Sequence, residues 1–135
     1  VNVTIFVAKL IDLKTDLPQV ATPALTPECQ AMIIGIRDTQ ELLSGKWKTE
    51  ILGALYYRGK MRFMDLKRQL SGIAPKVLSK ELKDMEMNLL ISRTVLDTMP
   101  ITVEYELTLQ GKSLHPVIEA MAKWGINYRK QLFER

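Results

Sequence analysis

A mainly α chain with one small β-hairpin is predicted by three observations. Apolar residues recur at spacings of three and four through residues 29–87, which places them in stripes along helices. That period breaks in the next twenty residues. Leu90–Leu96 is rich in β-branched residues, Asp97–Pro100 reads as a turn, and Val103–Leu107 alternates strictly, which together read as a hairpin. Helical spacing then returns from about Gly111 to Phe133.

Residues 1–28 read as an N-terminal extension: an arm, a linker or vector-derived residues. Val1, Val3, Ile5 and Val7 alternate as in a strand, although Phe6 and Leu10 blur the pattern and a short helix is the alternative. Pro18, Pro23 and Pro27 mark an extended connection. Residues 29–135 are expected to form one domain.

The first helix is expected from Cys29 to Leu43, with Met32, Ile33, Ile36, Leu42 and Leu43 as its apolar residues and Ser44-Gly45 closing it. A second follows over Lys46–Tyr57, with Trp47, Ile51, Leu52 and Leu55 as its buried stripe. Met61–Phe63 has room only for a one-bridge strand, with Phe63 inward. Asp65–Leu70 reads as a third, short helix carrying Leu66 and Leu70 four apart. Ser71-Gly72-Ile73 is a tight turn.

Pro75–Met87 is the fourth helix. Proline suits the first helical position, where its missing N–H is an orphan anyway. Asn88 suits a left-handed residue just past the end. Leu78, Leu82, Met85 and Leu89 share one face, and Lys76, Ser79, Lys80 and Lys83 occupy another. Two helices joined by a Gly-containing turn form a helix-turn-helix, and a hairpin directly after it makes a winged helix-turn-helix, the hairpin being the wing. In the long last helix, Leu114, Val117, Ile118, Met121, Trp124 and Tyr128 make an apolar face wider than one small domain needs. They are the candidate homodimer interface. Pro116 marks the helix's true start or a kink.

Charge narrows the function. From Arg58 to Lys83 stand eight basic and two acidic residues; the remainder has 11 basic and 13 acidic. Positive charge concentrated on the helix-turn-helix is the footprint of a nucleic-acid binder. Lys76, Ser79, Lys80 and Lys83 are assigned to a DNA major groove, where lysine donates to guanine O6 and N7 and serine donates or accepts. Arg62, Lys67 and Arg68 are assigned to phosphates. Arg93 on the wing is a further DNA contact, with a surface ion pair to Glu104 or Glu106 as the alternative.

Other classes are disfavoured. One cysteine, Cys29, excludes an intrachain disulfide and suits a reducing cytosol, so a cytoplasmic setting is expected. Cys29 and the single histidine, His115, cannot build a structural zinc site unaided. No apolar run is long enough for a bilayer span, and no signal peptide is seen. No phosphate loop, metal cluster or nucleophilic set stands out, so neither enzyme activity nor a cofactor is expected.

The ordered set Gly45-Lys-Trp-Lys48, Ile51-Leu52, Leu55, Gly59, Arg62-Phe63 and Leu66 resembles the first half of the HxlR family of bacterial transcription regulators. Gly72-Ile73, Lys76, Leu78-Ser79, Leu82-Lys83, Leu89–Ile91, Arg93, Pro100, Val103–Tyr105, Leu107-Thr108, Gly111, Leu114, Pro116 and Trp124-Gly125 continue it. The resemblance implies a MarR-like winged helix that binds operator DNA as a homodimer through the second helix of the helix-turn-helix and the wing. It also implies a role for Cys29, since some members sense oxidants through a cysteine before the first helix. A thiol near a helix N-terminus is the more reactive, and a half-buried cysteine acting as a small hydrophobe is the bland alternative. The chain departs from the family at Ala74, where Ser or Thr is usual, at Asn88, where Gly is usual, and at Gln30, where Pro is common. The function expected is a regulator bound to an inverted-repeat operator, controlled by Cys29 oxidation or by an unidentified small ligand. A winged-helix protein-interaction module that binds no DNA is the alternative.

Overall fold

The computed structural model describes residues 24–134. The alternating stretch Val1–Val7 and the connection through Pro23 lie outside the described residues. The chain divides into two units, Val1–Ile36 and Arg37–Arg135. Helix α1, Pro27–Leu42, begins in the first and ends in the second. It starts two residues before the expected Cys29, because Thr26 acts as its cap: the Thr26 hydroxyl accepts from the Cys29 N–H at 3.2 Å. Pro27 then occupies the first helical position.

The second unit holds the hydrophobic core. Helix α2, Lys48–Arg58, contributes Ile51, Leu52 and Leu55. It begins later than the expected Lys46. Trp47 stands at its cap, half-buried against the core and not in the stripe, with the Lys46 ammonium 4.6 Å from its ring centroid. Strand β1, Met61–Arg62, pairs antiparallel with β3, Thr102–Leu107, in the register Met61↔Tyr105. Met61, not Phe63, is therefore the inward residue; Phe63 instead opens helix α3, Phe63–Gln69, and packs half-buried at the core's edge. Strand β2, Ile91–Leu96, pairs with the other side of β3, giving the antiparallel order β1-β3-β2. Leu66, Leu70, Ile73, Leu90, Ile91, Tyr105 and Leu107 complete most of the core.

Helix α4, Pro75–Met87, has the expected bounds and buries Leu78, Leu82 and Met85. Its termini show where local reasoning works and where it stops. Ala74 holds the extended cap conformation, φ −74° and ψ 143°, but makes no side-chain cap. Ala74→Ser supplies the missing acceptor and is expected to stabilise the protein by about 1 kcal/mol. Thermal unfolding checks it: an unchanged midpoint would show that the first-turn N–H groups are already satisfied by water.

At the other end the left-handed residue is Leu89, φ 60°, and not Asn88, whose φ is −85°. The Leu89 N–H bonds the Glu86 carbonyl and the Leu90 N–H the Met85 carbonyl, both at 3.0 Å, which is a Schellman closure. Leu89 thus leaves the apolar stripe and is 71% exposed, while Leu90 takes the buried place at 1%. Asn88 serves differently, its side-chain amide donating to the Asp84 carbonyl at 2.9 Å.

The single last helix expected from Gly111 is two. Helix α5, Leu109–Ser113, is capped by Thr108, whose hydroxyl accepts from the Gly111 N–H at 3.1 Å. Helix α6, His115–Phe133, follows Leu114 with Pro116 in its first turn. Thr108 also ties this corner to the end of α4. Its hydroxyl donates to the Leu89 carbonyl at 2.5 Å and its N–H to the Leu90 carbonyl at 3.1 Å. Among the described residues no helix is long and apolar enough to cross a membrane.

Candidate nucleic-acid interface

Helix α4 is amphipathic because its core stripe is set by Leu78, Leu82 and Met85. Lys76, Ser79, Lys80 and Lys83 are all left exposed on the far side. None of the three lysines has an ion-pair partner among the described residues. Three free ammonium groups and a hydroxyl on one helical face can donate to phosphates or to base edges.

The flanking cations differ among themselves. Arg62 is exposed, has no ion-pair partner among the described residues, and stands at the cap of α3 across from Glu104. It lines, with Phe63, Met64, Arg68, Ile101 and Val103, a cavity of about 450 Å³ between α3 and the wing. Lys67 is half-buried. Arg68 is paired with Asp65 on its own helix, so it is less available to phosphate than the sequence suggests. Arg93 lies exposed on β2 opposite Tyr105. It pairs with neither Glu104 nor Glu106 among the described residues; Glu106 instead faces Lys60 at 3.7 Å. At the wing tip the Thr98 hydroxyl donates to the Pro100 carbonyl at 2.8 Å and lies 3.0 Å from the Thr102 hydroxyl, an ordering contact the sequence did not single out.

Cys29 is exposed, which removes the reading of a half-buried small hydrophobe. It occupies the first turn of α1 beside Glu28. The Glu28 carboxyl is held below its usual range by a backbone hydrogen bond first and by the Thr26 hydroxyl second. Among the described residues no group of three His, Cys, Asp or Glu side chains could hold a metal ion.

The candidate dimer residues divide. Leu114 and Ile118 pack half-buried against the core of their own chain. Val117, Met121, Trp124 and Tyr128 are exposed, and the last two rings stack at 4.9 Å between centroids. Helix α1 likewise exposes Met32, Ile33, Ile34 and Ile36. On the polar side of α6, hydrogen bonding and charge attraction between Glu119 and Lys123, 2.6 Å apart, lower the carboxyl's pKa and raise the ammonium's. His115, to which no role was assigned, stacks on Tyr56 at 3.7 Å and joins α6 to α2.

Lys48 was legible only as part of a family pattern. It is 7% exposed, and its ammonium lies 2.8 Å from Glu81 and 3.7 Å from Asp84, both on α4. A lysine next to a tryptophan at the start of a helix gives no local sign of such a partner, since the carboxylates stand more than thirty residues away.

Comparison with known proteins agrees with this geometry. The family model described as HxlR-like helix-turn-helix matches residues 42–133. The chain is 39% identical over 98 residues to the uncharacterized HTH-type transcriptional regulator YdzF of Bacillus subtilis, covering 73% of this chain and 90% of that protein. The crystal structure of a putative HTH-type transcriptional regulator, ytcD, superposes with a TM-score of 0.66 at 37% identity, covering 70% of this chain and 96% of that one. The redox regulator HypR in its reduced form gives 0.68 at 30% identity, covering 75% and 99%. A winged helix-turn-helix with a basic reading helix, matched over most of its length by this family, is a DNA-binding transcription regulator and not an enzyme: the chain belongs to the HxlR-like helix-turn-helix family.

Proposed function

We propose that this regulator binds an inverted-repeat operator as a homodimer, in a cytoplasmic setting, with α4 in the major groove and the wing tip Leu96–Pro100 against the backbone or minor groove. Residues 29–135 form the DNA-binding and dimerisation domain, and residues 1–28 an extension. The observation that carries the reading is the exposed face of Lys76, Ser79, Lys80 and Lys83, with no acidic partner for its lysines among the described residues. Arg62 and Arg93 add phosphate or wing contacts, with Lys67 and Arg68 behind them. The second copy covers the exposed apolar residues of α6, with α1 contributing Met32 and Ile36. Two-fold symmetry then sets half-sites on one face of the duplex.

Control acts through oxidation of Cys29 or through a small ligand near the dimer helices. Support for the thiol comes from its exposure and from the likeness to HypR, a redox regulator described in reduced and oxidised forms. Selection of genomic fragments at two salt concentrations, with and without a mild thiol oxidant, tests the reading. One inverted repeat is expected to be enriched, to fade as salt rises, and to be lost under oxidant. Cys29→Ser is expected to keep the enrichment and to lose the oxidant response; a retained response rules out the thiol switch. No enrichment at either salt moves the weight to a protein-interaction module.

A further inference from the structure

The buried cation at the start of α2 touches the reading helix on neither its core stripe nor its lysine face. At about 100° per residue, Glu81 and Asp84 lie about 60° and 120° round the helix from Leu78, between the two faces. The Lys48 ammonium meets Glu81 at 2.8 Å and Asp84 at 3.7 Å, and donates to the Ser44 carbonyl at 3.3 Å. The Glu81 side chain is 13% exposed and that of Lys48 8%. Three oxygens from two separate segments therefore surround one ammonium, which carries three donors.

We propose that Lys48 is a positioning residue for DNA readout: through Glu81 and Asp84 it sets the rotation of α4 about its own axis. The proposal rests on the DNA-binding reading given above. The physical case is one of direction. Packing of Leu78, Leu82 and Met85 buries area but is non-directional, and Met85 is a pliable side chain. A hydrogen-bonded ion pair on the flank of the stripe has a preferred distance and angle. Side-chain heads stand about 5–6 Å from a helix axis, so a turn of about 20° carries each of Lys76, Ser79, Lys80 and Lys83 sideways by about 2 Å. That displacement is enough to break a bidentate contact to a base edge, whereas a phosphate contact through a flexible lysine survives it. A buried ion pair contributes little net stability against apolar residues of similar volume. Its contribution here is orientation, and it also holds two carboxylates away from a face that meets phosphates.

The test is the charge-balanced double variant Lys48→Met, Glu81→Met, compared with the wild type on its selected fragment and on a random duplex of equal length. Net charge is unchanged, so affinity for the random duplex is expected to stay within about twofold. Preference for the selected fragment over the random duplex is expected to fall about tenfold or more, while thermal unfolding shows an intact fold. A folded variant with an unchanged preference overturns the proposal. If the double variant does not fold, Glu81→Gln takes its place, having the same shape and one fewer negative charge on α4. It is expected to bind random DNA more tightly and yet to lose preference by about threefold or more; an unchanged preference again overturns the proposal. A wild-type chain that selects no fragment overturns the DNA-binding reading itself, and the proposal with it.

Discussion

The double variant Lys80→Ala, Lys83→Ala is expected to bind the selected operator on the order of 100-fold more weakly than the wild type at moderate salt. Each lysine stands exposed on α4 with no ion pair among the described residues, so its removal deletes no internal contact. The fold and the dimer are therefore expected to persist, with an unfolding midpoint within a few degrees of the wild type. A loss of affinity in that background belongs to DNA contacts. Salt tells which kind. Each phosphate contact removed makes the log–log salt slope shallower by about 0.9, so two phosphate contacts per chain reduce it by about 2. Base contacts cost affinity on the operator and spare random DNA. Titration of both duplexes across a salt series separates the cases, and unchanged affinity with an unchanged slope would show that the reading face lies elsewhere.

The second large effect is expected at Gly111. A Cβ there would overlap the Leu90 carbonyl oxygen and press on the Leu107 side chain at 3.2 Å. That carbonyl already accepts the Thr108 N–H at 3.1 Å, and it follows directly on the closure of α4. It cannot retreat without leaving a buried donor unpaired. Overpacking and the lost hydrogen bond together cost about 3–4 kcal/mol, against which alanine's better helix propensity returns about 1. Gly111→Ala is therefore expected to lower the unfolding midpoint by on the order of 10 °C. Gly53 on α2 is the control, since nothing lies within 4 Å of a Cβ added there and alanine is expected to be neutral or mildly stabilising. Equal midpoints for the two variants would contradict the close approach of α5 to the end of α4. This corner also links the reading helix to α6. Gly111→Ala is thus expected to weaken operator binding beyond what the unfolded fraction explains.

Much of this protein was legible in local pattern. Pro75 marked the start of α4, and the leucine spacing identified its buried face, because both depend on backbone geometry within one turn. The hairpin followed from a change of period, and the concentration of cations between Arg58 and Lys83 pointed to DNA before any coordinates were seen. Pro116 located the start of α6 for the same local reason.

What the sequence by itself determined, then, are the elements, their inward faces and the electrostatic character of the helix-turn-helix, since each is set by neighbours three or four residues away. Tertiary structure decided the rest. Met61 turns inward instead of Phe63 because β3 imposes its register from more than forty residues away. Leu89 takes the left-handed position because Leu90 must reach the core and Thr108 must reach both carbonyls. Arg68 is drawn to Asp65 rather than left free, and Lys48 is buried against carboxylates of another helix. Such choices are made by contacts between distant parts of the chain. A hydrophobic pattern announces which face is buried, but only the packed fold selects the partner that satisfies a buried charge or an orphaned carbonyl.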